Sequence, residues 1–237
     1  RCDGDVAVLR NDIYHNKENT ARIEEEIRLS AEGDSRIEED IAARQEDIRG
    51  KREAIARAEA EQLALEIRGE YLELERCSAS LEITADYGQR VYVFTLELQY
   101  TKGGETVLTV TAPEDIAGVT ARLKDGAATL EYDGASLETG ELDGQGLSPV
   151  SALPALLNAV QTGFIAEVGR EDLDETATLR ICCRDPEQAP GAGVETAVWF
   201  DLDTHGLVQG EISVDGARVI LCRFTQFTME PATQQEG

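Results

Sequence analysis

The sequence predicts an α+β protein, and three observations carry that expectation. A 14-residue repeat near the N-terminus spaces its apolar residues for a long helix. From Ser78 onward the apolar period falls to two, the spacing of strands. One later segment, beginning after Ser148, is apolar around most of its circumference, as a helix packed on a sheet would be.

The repeat reads "LRNDIYHNKENTAR", "IEEEIRLSAEGDSR" and "IEEDIAARQEDIRG" over residues 9–50. Leu9, Ile23 and Ile37 recur every 14 residues, as do Ile13, Ile27 and Ile41, with Ile48 and Ile55 following at steps of seven. These are the a and d positions of a heptad. The intervening seam positions hold Asn16, Thr20, Ser30, Asp34 and Arg44, so half the seam is polar. A stripe this thin does not hold a helix together alone in water. It calls for a partner protein, a second copy or a groove, and these eight apolar residues form the expected partner-binding stripe. Gly33 and Gly50 are expected weak points where the helix bends or breaks. A second helix is predicted over "AEAEQLALEIRGEYLELERC", with Leu63, Ile67, Tyr71 and Leu74 on one face.

In "RVYVFTLELQY" Tyr92, Phe94, Leu96, Leu98 and Tyr100 share one face, with Thr95, Glu97 and Gln99 opposite. "TKGGE" turns the chain, and "TVLTVTA" returns as a hairpin. "VTARLKD", "AATLEYD" and "ASLETGEL" read as further strands separated by Gly and Asp turns. Ser148 caps a helix with Pro149 at its first position, predicted over 149–168, and Pro154 marks a possible restart inside it. "TATLRICCR", "VETAVWFDLD", "LVQGEISVD" and "ARVILCRFTQF" close the chain as strands. The domain limits expected are a helical extension over 1–58, a β-sheet domain over 59–230 and a disordered tail over 231–237.

Composition narrows the function. The 237 residues carry 47 acids against 22 bases, a net charge of −25. Phosphate recognition needs clustered Lys and Arg, so a nucleic-acid role is excluded as an expectation. No stretch approaches the ~20 apolar residues of a membrane helix. The two His are remote, His15 in the repeat and His205 near the end, and no nucleophile elbow, zinc-protease helix or phosphate loop is present. The run Asp201, Asp203, His205, Gly206 invites a metal reading. It lies between two alternating strands, however, and the twelfth position of a calcium loop would be Ile212, so a tight turn is expected. The five Cys fit no zinc spacing. Cys182 and Cys183 face opposite sides of one strand and read as small buried apolar residues. A Cys77–Cys222 bridge is one open alternative for the ends of the sheet domain. Neither a cofactor nor a metal is expected, nor catalysis.

The stretches "CSASLEITADYGQRVYVFTLELQY", "LTVTAPEDIAGVTARL", "LEYDG" and "AVWFDLDTHGLVQGEISVDGARVILCRFTQF" resemble the LolA/LolB-type lipoprotein-carrier fold. More narrowly they resemble exported lipoproteins of Gram-positive bacteria, including spore-germination lipoproteins. The resemblance covers about residues 60–230; the 9–50 repeat departs from the family's pattern. It implies a curved, incompletely closed antiparallel sheet, a half-barrel wrapped around helices, and an exported, lipid-anchored protein. Cys2 invites the role of anchor, but Arg1 precedes it where processing wants a small residue, so an anchor removed upstream is expected. On that basis the favoured expectation is a non-enzymatic, extracytoplasmic partner-binding or scaffold module. The alternative is a carrier or sensor of a lipid or lipoprotein acyl chain in the concave face, lined by Leu96, Leu98, Leu108, Val110, Leu156, Val160, Val198 and Phe200.

Overall fold

The computed structural model describes residues 2–142 and 144–231, with side chains for 9–140, 142 and 144–230. Cys2 as a side chain and the expected tail beyond residue 231 lie outside the described residues. The chain divides into two compact units, Arg1–Ala56 and Arg57–Gly237.

The first unit is helical throughout its described length, part of α1 (Cys2–Glu73). Neither Gly33 nor Gly50 breaks it. The roughly 1 kcal/mol a glycine costs in a helix is met here by Arg and Glu or Asp pairs three and four residues apart. Arg28 bridges Glu25 and Glu32, Arg49 bridges Glu46 and Glu53, and Lys51 reaches Asp47. Each such pair contributes a few tenths of a kcal/mol.

The second unit is built on one 11-stranded sheet. Its strands are β1 (Leu74–Asp86), β2 (Val91–Thr101), β3 (Thr106–Ala112), β4 (Thr120–Lys124), β5 (Ala127–Tyr132), β6 (Ala135–Glu141), β7 (Ile165–Leu173), β8 (Thr176–Arg184), β9 (Val194–Asp201), β10 (Leu207–Val214) and β11 (Ala217–Pro231). The order is β6-β5-β4-β3-β2-β1-β11-β10-β9-β8-β7, and every neighbouring pair is antiparallel. Two meanders, β1–β6 and β7–β11, are therefore welded where the first strand meets the last. The outermost strands β6 and β7 do not pair with each other, so the curved sheet stays open. Register shifts in β1–β11, β2–β3, β5–β6, β7–β8, β9–β10 and β10–β11 mark the irregularities at which such a sheet bends. This is the α+β, unclosed curved sheet preceded by a long helix that the sequence led us to expect.

Three element boundaries differ from expectation. No second helix starts near residue 58: α1 runs unbroken to Glu73, and Leu74–Cys77 already belong to β1. The predicted 149–168 helix is α2 (Pro149–Thr162), ended at Gly163, whose N–H donates to Ala159 O. Ile165 to Val168 then open strand β7. Pro154 causes no restart. It sits where its missing N–H costs one bond, while Ser148 and Ser151 bond reciprocally to each other's backbone N–H groups at the start.

One face of the sheet carries the core. Leu81, Ile83 and Ala85 of β1, Leu96 and Leu98 of β2, Leu179 and Ile181 of β8, Val198 and Phe200 of β9 and Ile220 and Cys222 of β11 are all buried in it. Over them lie Ala152, Leu153, Leu156, Leu157 and Val160 of α2, and Ala60, Ala64, Ile67 and Tyr71 from the end of α1. The approach of α2 is so close that β10 has no room for a side chain at one point. A Cβ on Gly210 would stand 2.5 Å from Leu156 Cδ1. Gly210→Ala is therefore expected to overpack the site and lower the unfolding free energy by about 1–3 kcal/mol. Urea titration of that variant and of Gly210→Ala/Leu156→Ala checks this, the second change recovering part of the loss.

Candidate functional site

The lower end of α1 is fastened by polar as well as apolar contacts. Arg68 donates from Nε to Val160 O (2.8 Å) and from Nη2 to Gly163 O (2.7 Å), satisfying carbonyls that the end of α2 leaves open. Gln161 donates back to Tyr71 O at 2.8 Å. The Tyr71 ring lies edge-on to Phe200, with centroids 5.3 Å apart, and stacks on Phe227. Its hydroxyl donates to His205 O, and burial pushes the phenol well above its usual range.

The Asp201–Gly206 segment is the β9–β10 turn. Asp201 Oδ1 accepts from the N–H groups of Asp203 (3.0 Å) and Thr204 (2.7 Å) and from the Thr204 hydroxyl (2.9 Å). Partial burial would raise this carboxyl, but these three donors outweigh it and hold it below the ordinary carboxylate range. His205 takes a left-handed conformation at φ 55° and places Nδ1 2.9 Å from both Glu70 oxygens. The Asp201 carboxylate thus points at turn donors and His205 at Glu70 of α1. Among the described residues no group of three His, Cys, Asp or Glu side chains is placed to hold an ion.

The core face does not close completely. Between β2–β5 and the start of α2 is a cavity of about 200 Å³. Phe94 and Leu96 of β2, Leu108 and Val110 of β3, and Ala121 of β4 form its floor. Leu130 of β5, Ile116 and Val119 before β4, and Pro149 and Val150 of α2 form its rim. No polar side chain lines it. Beside it Tyr92 stacks on Phe94, with centroids 6.2 Å apart, and half-exposed Tyr92 meets Tyr87.

The eight residues expected to line a ligand site divide between two places. Leu96, Leu108 and Val110 line this cavity. Leu98, Leu156, Val160, Val198 and Phe200 lie in the packed core. Sequence reasoning missed Ile116, Val119, Ala121, Leu130, Pro149 and Val150. Phe94 had been placed on the right face of β2 without being assigned to a site. The eight stripe residues, Leu9, Ile13, Ile23, Ile27, Ile37, Ile41, Ile48 and Ile55, are each between 49% and 63% exposed, as open as side chains on a bare helix.

The cysteines are not the chemistry of this site. Cys77, Cys182, Cys183 and Cys222 are free and buried, so the Cys77–Cys222 bridge is not formed. The register explains it: Cys77 faces Met229, while Cys222 faces Ile83, six residues further along β1 and about 20 Å away. Burial pushes Cys77 and Cys222 up to about 12 and Cys183 up to about 11. Cys183 also donates its S–H to Ala159 O. Both members of the vicinal pair are buried: Cys183 belongs to the core cluster, whereas Cys182 lies outside it on the opposite face. That face carries long side chains, with Arg184 pairing Glu167 and Glu195, and Arg180 over Trp199.

The strand order and the helices against one face define a helix-filled, open antiparallel half-barrel with an apolar cavity beside α2. Among solved structures the chain is similar to the lipoprotein LppX of Mycobacterium tuberculosis, at 17% identity over 72% of this chain and 96% of that one, TM-score 0.42. It is similar to a LolA superfamily protein of Nitrosomonas europaea, at 13% identity over 73% and 87%, TM-score 0.39. It is also similar to LprF of Mycobacterium bovis, at 14% identity over 74% and 95%, TM-score 0.40. No protein-family model and no curated protein matches the sequence. Likenesses this distant add no weight to the fold, which stands on its own strand order, and none to a ligand.

The thiol chemistry is directly checkable. At neutral pH Cys77, Cys182, Cys183 and Cys222 are expected to stay unmodified by iodoacetamide in the folded protein and to react fully in denaturant, with or without prior reductant. Peptide mass mapping reads the four sites separately; alkylation in denaturant only after reduction would contradict the free-thiol assignment.

Proposed function

We propose that the second unit is a non-enzymatic binding module that takes an apolar chain into the cavity between β2–β5 and α2. The observation that carries the reading is a cavity lined by apolar side chains throughout. Each methylene transferred into it gains about 0.8 kcal/mol. A polar head would find no partner inside and stays in water at the mouth. The volume is below the ~300–1,000 Å³ of pockets that enclose a drug-sized ligand. The cavity therefore suits a segment of acyl chain rather than a whole lipid. The resemblance read from the sequence supports the same class of ligand. It also supports an exported, lipid-anchored protein of the Gram-positive type. No described helix is long and apolar enough to cross a membrane.

A second reading rests on a separate observation. The exposed stripe of the first unit makes that helix a docking surface for protein, so the chain acts as a scaffold as well as a binder.

Val150 stands half-buried on the rim. Val150→Trp is expected to fill the mouth and weaken binding of a fluorescent fatty acid, cis-parinaric acid, by about tenfold or more, the equivalent of losing two methylenes' burial. The melting temperature should stay within a few degrees of the parent, since the rim has space. Titration of both proteins with the probe decides it: equal affinity for parent and variant overturns this site.

A further inference from the structure

The docking reading leaves the occupant of the stripe open, and the charges along it choose one. In the heptad frame the seam runs Ile23, Ile27, Ser30, Asp34, Ile37, Ile41, Arg44, Ile48, Lys51, Ile55. Glu24, Glu38 and Arg52 flank it on one side, and Glu26, Asp40 and Asp47 on the other. On the outer face Glu25, Arg28 and Glu32 form one group of ion pairs, and Glu46, Arg49 and Glu53 another. Lys51 is paired with Asp47. Among the described residues Glu24, Asp34, Arg44 and Arg52 have no ion-pair partner in their own chain.

We infer that the stripe pairs with the stripe of a second copy, antiparallel, with Ile37 of each chain opposite Ile41 of the other. This inference rests on the docking reading and names its occupant. In that register Ile23 meets Ile55, and Asp34 meets Arg44, twice by symmetry. On the flank Glu24 meets Arg52, again twice. Asp34, Arg44, Glu24 and Arg52 thereby each face an opposite charge. The overlap of residues 23–55 is about 50 Å of helix.

The alternatives conflict with the same charges. A parallel pair in register sets Asp34 against Asp34, Arg44 against Arg44 and Lys51 against Lys51 inside the seam. An antiparallel pair moved by one apolar repeat, with Ile23 opposite Ile41, brings Arg10 against Arg52 and Glu24 against Glu38. The proposed register carries its own cost at the dyad, where Glu38 and Asp40 face their counterparts. Both are flank positions open to water, where like charges cost a few tenths of a kcal/mol and salt screens them.

Sedimentation equilibrium of the full chain over a concentration series tests the pairing. The parent is expected to dimerise reversibly. Asp34→Arg and Arg44→Asp should each weaken the dimer by about tenfold or more, since two ion pairs become two repulsions. The double variant Asp34→Arg/Arg44→Asp should return to parental affinity. A monomeric parent overturns the second copy as occupant. A dimer lost in Ile23→Lys/Ile41→Lys but indifferent to the charge changes overturns the register and leaves the docking reading standing. A dimer indifferent to all of them overturns both.

Discussion

The second unit depends on one helical face, because an open sheet has a core side that nothing else in its own ladder can cover. The last turns of α1 supply that cover with Ala60, Ala64, Ile67 and Tyr71, a series that grows from small to large along the helix. Two alanines cost no side-chain entropy on burial. Ile67 and Tyr71 then fill the space above the weld between the first and last strands. Tyr71 is the largest of the fully buried side chains. Its ring packs on Phe200 of β9 and Phe227 of β11, and its hydroxyl fixes the backbone of the β9–β10 turn. Arg68 joins the same segment to the end of α2, so both helices are held against one sheet and against each other.

That arrangement explains where space remains. Helix α2 lies on β1, β8, β9 and β10, close enough to require glycine at residue 210. Beyond its start, toward β3–β5, no helix of comparable size among the described residues covers the core face, and the uncovered apolar floor is the cavity. The cavity is thus a part of the core that the helices leave unfilled. The part of its apolar lining that comes from β2–β5 follows from strand alternation, and no charged side chain lines it. The acids sit elsewhere: Arg122 holds Glu105 and Glu131 on the sheet surface, and Trp199 donates to Glu171 on another part of it.

Much of this was legible in the sequence because strand alternation and turn chemistry are local. Leu96 and Leu98 are buried with Glu97 and Gln99 exposed, as the pattern of two requires, and Asp215-Gly216 turns with positive φ at both residues. Two strands were not legible. Leu74 continues the helical spacing of Ile67 and Tyr71, so the start of β1 reads as helix until its pairing with β2 and β11 overrides the local pattern. β7 carries four charged residues and one glycine in nine, and as an edge strand it buries none of its side chains. Gly163 was the available signal that α2 ends there. The cavity was only partly legible, because Ile116, Val119 and Val150 come together through contacts that no sequence period encodes. The stripe was plain from its period of seven.

The central claim is that the end of α1 belongs to the folded core of the sheet unit and is not an appendage to it. Native-state hydrogen exchange, resolved by residue, measures this most directly. Amides of residues 64–73 should exchange only through the same opening that exposes the centre of β1 and β11, with equal free energies and equal response to denaturant. Exchange of 64–73 well ahead of those strands, by a separate low-energy opening, would contradict the account.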